Sequence, residues 1–232
     1  MNNYALEQAE ELFEQALEYF LGIEKEKNMI HAKELLQQSS ELGLSKSSNL
    51  LGDWYIKKII PGDNYKEAFK LYTRGYEFGD MRSFSRLAMC YEKGYGIKKD
   101  IPKALELYEK SVELGNKDAC FSIARIYEKG ENIKMDLSKA ILWYKRGYEK
   151  GDADCACNLA TCYYKGKGIE QNIEKAKEIF LAFSEYNTQN QRNLGVIFYK
   201  GTPSCKPNEE EAIYWFTKAA NNGDITSMLH LG

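Results

Sequence analysis

Alanine recurs at Ala32, Ala68, Ala104, Ala140, Ala176 and Ala212, and every step is 36 residues. Four residues before each alanine stands Asn28, Asn64, Asp100, Asp136, Asn172 or Asn208. Eleven residues after it stands Gly43, Gly79, Gly115, Gly151, Asn187 or Gly223. Three columns held in one register over six copies confine the chain to a repeat architecture. Each copy is then one supersecondary unit that buries its apolar face against its neighbours.

Each column has a physical reading. Asn or Asp ahead of an apolar-periodic run is an N-cap, whose side chain accepts a backbone N–H of the first turn. The glycine takes the left-handed conformation that ends a helix, with Asn187 as its one substitute. The helix between them (helix B) carries Ala104, Leu107, Tyr108 and Val112, and again Ala140, Trp143, Tyr144 and Tyr148. These fall on one helical face. Helix A follows each glycine, capped by Asp80, Asn116, Asp152 or Asp224. It carries Leu87-Ala88, Ile123-Ala124 and Leu159-Ala160, then Tyr91, Tyr127 and Tyr163, then Gly94, Gly130 and Gly166. In the fifth copy these columns arrive one residue early, at Leu194-Gly195, Phe198 and Gly201, and the next loop is one residue longer. The small residues at 16, 52, 88, 124, 160 and 195 let helices approach closely, and the aromatic three places on fills the groove beside them. The pattern predicts an all-α chain. Helix A is expected at about 3–21, 45–57, 81–93, 117–129, 153–165, 188–200 and 225–231, and helix B at about 29–42, 65–78, 101–114, 137–150, 173–186 and 209–222.

Leu-Ala-x-x-Tyr-x-x-Gly-x-Gly, then Asp/Asn-x-x-Lys-Ala-x-x-Trp-Tyr, then Gly, resembles the Sel-one-like repeat family, a relative of the tetratricopeptide repeat. The copies from Gly94-Tyr95-Gly96 to Lys103-Ala104 and from Gly166-Lys167-Gly168 to Lys175-Ala176 match best. The likeness runs from about Leu12 to Gly232. It implies a right-handed α-solenoid of helix-turn-helix repeats over 1–232, and an adaptor that holds other proteins. Lys58-Ile59-Ile60 and Gly201-Thr202-Pro203 lose the glycine pair, so those two A–B loops are expected to bend differently.

The ends differ. In later copies Ser47, Ser83, Ala119 and Cys155 form a column expected to pack on the preceding repeat. In the first helix that column holds Glu11, the leucine column holds Gln15, and Glu7, Glu11, Glu14 and Glu18 make a solvated stripe. That helix, 3–21, reads as a cap. At the far end a last helix A stops at Leu231-Gly232 with no helix B after it. Further repeats, an oligomer contact or a partner would cover it.

Composition narrows the function. Lys+Arg is 32 and Asp+Glu 34, a formal net charge of −2, without the basic excess of a nucleic-acid or anionic-membrane binder. No apolar run approaches a membrane span, and the N-terminus, acidic and without an apolar core, is not expected to be a secretory signal. No column pair of cysteines recurs, so Cys90, Cys120, Cys155, Cys157, Cys162 and Cys205 read as free thiols in a reducing cytoplasm. His31 and His230 match no catalytic spacing, and no cofactor or metal site is expected. Gly94-Tyr-Gly and Gly166-Lys-Gly lack the flanking strand and Lys-Ser/Thr ending of a phosphate loop and read as turns. Lys57, Lys93, Lys129, Lys165 and Lys200 form a ladder that either binds acidic segments or answers the helix dipole.

The chain is therefore expected to be a non-catalytic scaffold that binds a partner protein or peptide, with no nucleic acid and no membrane. By analogy with tetratricopeptide arrays, helix A lines a concave face. Its inward positions include Asn49, Asp53, Ile56, Ser85, Glu92, Asp118, Glu128, Cys157, Thr161, Arg192 and Val196, which vary from copy to copy as core columns do not. The partner-binding stretch is expected at Arg82, Met89, Phe121, Arg125, Tyr164 and Tyr199, residue types enriched at interfaces. Three alternatives stand beside it: an immunity or inhibitor protein against a toxin or effector, a beta-lactam-binding enzyme like some disulfide-rich relatives, and an RNA-binding array.

Overall fold

The computed structural model describes residues 3–23, 25–61, 64–202 and 204–231, so Pro203 and Gly232 lie outside the described residues. The described residues form α1 (Asn3–Leu21), α2 (Met29–Glu41), α3 (Ser45–Ile56), α4 (Asn64–Glu77), α5 (Met81–Lys93), α6 (Ile101–Glu113), α7 (Asp118–Lys129), α8 (Leu137–Glu149), α9 (Ala153–Lys165), α10 (Ile173–Ala182), α11 (Thr188–Lys200), α12 (Glu209–Asn221) and α13 (Ile225–Leu231). This is the all-α class of sequential helical pairs that the 36-residue period dictates. The chain divides into two compact units, Met1–Ala119 and Cys120–Gly232. In the first, α1 through α6 pack each on the next, and α3 also touches α5. In the second, α8 through α13 pack in sequence.

The caps follow the chemistry of the columns. Asn28, Asp100, Asp136, Asn172 and Asn208 accept the third backbone N–H of the B helices they precede. Asp80 and Asp152 do the same for α5 and α9, and Asp224 for α13. Gly43, Gly79, Gly115, Gly151 and Gly223 have φ between 73° and 103°, the left-handed region that a Cβ disfavours.

Two capping expectations need correction. Asn64 is the first residue of α4, and its Oδ1 accepts no hydrogen bond. Asn187 has φ −150° and does not end a B helix; its side chain accepts from Gln189 N and starts α11. Helix α10 has already ended at Ala182. The reason lies at Phe183, which occupies the column of Gly75 and Gly147. A large ring cannot enter the close contact those glycines make, so the helix stops a turn early. The carbonyls of Phe183 and Ser184 are then taken by the side chains of Asn190 and Gln191, at 3.0 and 2.8 Å.

Of the two atypical A–B loops, the second bends differently, as expected, whereas the first keeps at Lys58 the left-handed turn that glycine makes in later copies. Lys58 stands where later copies have glycine and holds φ 55°, while Thr202 and Cys205 exchange backbone hydrogen bonds in an isolated antiparallel bridge. Asn132, at φ 62°, takes the place of the second glycine in its own loop, a substitution the sequence pattern had hidden.

Two contacts set the helix spacing. Within a hairpin, Ala16, Ala88, Ala124 and Ala160 are fully buried, and Gly52 and Gly195 face rings: a Cβ on them would meet the Tyr72 ring at 2.5 Å and the Phe216 ring at 2.6 Å. Between hairpins, a B-helix residue faces the A-helix residue eight places on. Ser39 Oγ lies 2.6 Å from Ser47 Oγ. A Cβ on Gly75 would collide with Ser83 Oγ, and one on Gly147 with Cys155 Sγ and, at 2.7 Å, its Cβ. The column of Ser47, Ser83, Ala119 and Cys155 is buried throughout, and Ser47, Ser83 and Cys155 face the preceding helix.

Candidate binding faces

The A-helix residues read as variable surface are of two kinds. Three of the acids are tied to a tyrosine of the following B helix. Tyr72 OH donates to Asp53 Oδ1 at 2.7 Å, Tyr108 OH to Glu92 Oε2 at 2.9 Å, and Tyr144 OH to Glu128 Oε2 at 2.7 Å. Burial, reinforced by the partner carboxylate, pushes the Tyr72 and Tyr144 phenols well above the ordinary range, so both stay protonated donors. Burial would raise the Glu128 carboxyl, but hydrogen bonds from Lys167 and Tyr144 together with the lysine charges carry it below its usual value. Asn49, Glu92 and Cys157 are buried, which corrects their reading as residues that packing does not dictate. Glu92 also meets Lys93 at 2.6 Å, so that rung of the lysine ladder is paired within its own helix.

In the first unit, α1, α3 and the N-terminal half of α5 border a cavity of about 410 Å³ that is open to solvent, lined by Phe13, Lys46, Asn49, Leu50, Asp53, Asp80, Met81, Arg82 and Arg86. Its floor is a polar network. Arg86 donates to Asp53 through Nε at 2.8 Å and Nη2 at 2.6 Å, a two-point grip that a guanidinium fork makes well. Burial works against the Arg86 charge, and Asp53 more than offsets it, holding the guanidinium above its ordinary value. Asn49 Nδ2 donates to Asp80 Oδ2 at 2.8 Å, the same oxygen accepts from Ser83 N, and the Ser83 hydroxyl lies within reach of both that oxygen and Asn49 Oδ1. Arg82 stands exposed at the wall, and among the described residues it makes no ion pair or hydrogen bond.

Of the six expected partner-binding residues, the structure places Arg82 in this wall. Met89 is half-buried on α5 and is not one of the lining residues. In the second unit Phe121 and Arg125 are brought together on α7, the guanidinium 5.9 Å from the ring centroid, and Phe121 lies 6.3 Å from the Tyr144 ring. Tyr164 is half-buried on α9, and its carbonyl accepts from Gln171. Tyr199 on α11 is 64% exposed. The six are thus divided between the two units. Phe13, Lys46, Leu50, Asp80, Met81 and Arg86 escaped the sequence reading as site residues. A signal was present: Asp53 is the one acid in its column (Asp53, Met89, Arg125, Thr161, Val196), and Arg86 is the one arginine in its own (Leu50, Arg86, Ser122, Asn158, Asn193). Opposite charges that break two columns one repeat apart point to a designed pair.

A family model described as Sel1 repeat matches residues 12–44, 47–80, 85–116, 117–152, 153–184 and 191–224. Among solved structures, a Sel1 repeat protein from Oxalobacter formigenes is similar at 25% identity and TM-score 0.82, over 92% of this chain and 88% of that one. A protective antigen of uropathogenic Escherichia coli is similar at 23% identity and TM-score 0.70, over 96% of this chain and 56% of that one. An immunity protein from Pseudomonas aeruginosa shares the fold at 18% identity and TM-score 0.59, over 94% and 84%. No curated protein sequence matches the chain.

Proposed function

The chain belongs to the Sel1 repeat family, and from that premise we propose that it is a non-catalytic module that holds a partner protein or peptide on its A helices, in a reducing cytoplasmic setting. The observation that carries this reading is the cavity of about 410 Å³ between α1, α3 and α5. Its volume falls in the range of about 300–1,000 Å³ typical of ligand sites. Arg82, Met81 and Leu50 in its wall lie outside the columns that hold the repeats together. Exposed Tyr199, and Phe121 with Arg125, offer further side chains of the types that dominate interfaces. Six free cysteines, five of them buried, support the reducing setting. Among the described residues no helix is long and apolar enough to cross a membrane.

The test is capture of a partner from the native host, followed by two variants. Arg82→Ala alters the first unit, and Phe121→Ala with Arg125→Ala and Tyr164→Ala alters the second. At least one is expected to weaken capture tenfold or more, since each interface hot spot contributes about 1–2 kcal/mol or more. Circular dichroism checks that the fold survives. Wild-type affinity in both would overturn the reading. A second reading makes the partner a toxin and this chain its immunity protein; the shared fold of the Pseudomonas aeruginosa immunity protein is what supports it. Loss of the captured partner's own activity in the complex separates inhibitor from adaptor.

A further inference from the structure

We infer that the cavity between α1, α3 and α5 receives a carboxylate-bearing side chain, glutamate or aspartate, from an extended segment of the partner, flanked by an apolar residue. The inference rests on the protein-binding reading above and adds the chemistry of what is bound. It follows from which groups of the wall are already satisfied. Both oxygens of Asp53 accept hydrogen bonds, from Tyr72 OH and Arg86 Nε on one and from Arg86 Nη2 on the other. One oxygen of Asp80 accepts from Asn49 Nδ2 and Ser83 N, and the single Ser83 hydroxyl proton goes either to that oxygen, at 2.8 Å, or to Asn49 Oδ1, at 2.9 Å. The acidic and amide acceptors of the floor are therefore largely engaged by the protein itself.

The donors are not. Among the described residues Arg82 makes no ion pair or hydrogen bond, and it stands exposed at the wall. Lys46 stands 3.5 Å from Glu10 and 4.7 Å from the centroid of the Phe13 ring, a loose pairing at the mouth that a better acceptor displaces. Arg86 uses Nε and Nη2 on Asp53, and among the described residues its Nη1 donates to no acceptor. A group that only accepts hydrogen bonds and carries negative charge complements this set, and a carboxylate does so in two-point geometry with an arginine. Phe13, Leu50 and Met81 supply the apolar wall for the neighbouring residue. A cationic or donor-rich segment would meet the positive side chains of the mouth and find few open acceptors.

The experiment uses the full chain and two fluorescein-labelled decapeptides that differ only in a Glu-Leu-Glu or Gln-Leu-Gln core. The glutamate peptide is expected to bind at least tenfold more tightly at low salt, with the difference shrinking as salt rises. Arg82→Gln and Lys46→Gln are each expected to cut that preference at least threefold. Both side chains are at the surface, so neither change should disturb folding, and circular dichroism verifies this. Methyl resonances of Leu50 and Met81 report whether the peptide occupies the cavity. If both peptides bind equally and shift those resonances, the carboxylate inference fails while the protein-binding reading stands. If neither binds, and Arg82→Gln leaves capture of the native partner unchanged, the inference fails and this cavity is no longer a basis for that reading.

Discussion

Cys90, Cys157 and Cys162 sit where water cannot reach a thiolate, and burial pushes their thiols up to about 12, about 12 and about 11. Cys155 is raised further by burial beside Asp152, and Cys120 is raised by burial as well. Cys205 alone is exposed. A native thiol titration at pH 8 should therefore give one fast equivalent, lost in Cys205→Ser, with the other five reacting only after denaturation. Glu128 gives a second prediction at this scale. Its carboxyl is lowered in the folded state, so it contributes stability that is present above the ordinary carboxylate range and is lost as pH falls through it. Unfolding midpoints measured between about pH 7 and 3 should fall less steeply in Glu128→Gln than in the wild type. Little of this was legible beforehand. Glu128 and Glu92 stand in the sequence as charged residues next to a lysine, and the tyrosine each one meets is 16 residues away.

The eight-residue offset between a B helix and the following A helix works as a size code. Serine meets serine at 39 and 47, while glycine meets serine at 75 and 83 and cysteine at 147 and 155. Gly147→Ala drives a methyl into Cys155 and to within 3.2 Å of Cys120 Cβ. It should cost about 1–3 kcal/mol by overpacking, set against a gain of up to about 1 kcal/mol in helix propensity. Cys155→Ala in the same chain should recover part of the loss, so a double-mutant cycle in urea should show coupling well beyond additivity. Helix boundaries were readable to within a residue or two in most copies because cap, apolar stripe and glycine repeat in one register. They were misread at α10 because Phe183 breaks a column whose meaning, close approach, shows only once the helices are packed.

On the scale of the whole chain, each hairpin is stabilised by its sequence neighbours, so damage should stay local. Hydrogen exchange on Gly147→Ala should quicken the amides of α8 and α9, while those of α3 and α4 keep their wild-type protection. Equal acceleration in all four helices would mean the chain opens as one cooperative block. The cavity of the first unit was only partly legible for a related reason: Asp53 and Arg82 were visible as variable positions, but the pairing that engages Asp53 and leaves Arg82 available depends on an arginine from the next hairpin. The tyrosine–carboxylate bonds carry a consequence for anyone who would recombine such repeats. Tyr72, Tyr108 and Tyr144 each find their acid in the A helix of their own hairpin, whereas Gly75 and Gly147 find their neighbour in the hairpin that follows. A chimaera joined inside a hairpin must match polarity across the seam, and one joined between hairpins must match volume. The second seam is the more forgiving, because a mismatched methyl can be relieved by one compensating truncation, while a carboxylate parted from its phenol loses a buried donor and is left to its basic neighbour, Arg86 for Asp53, Lys93 for Glu92 and Lys167 for Glu128.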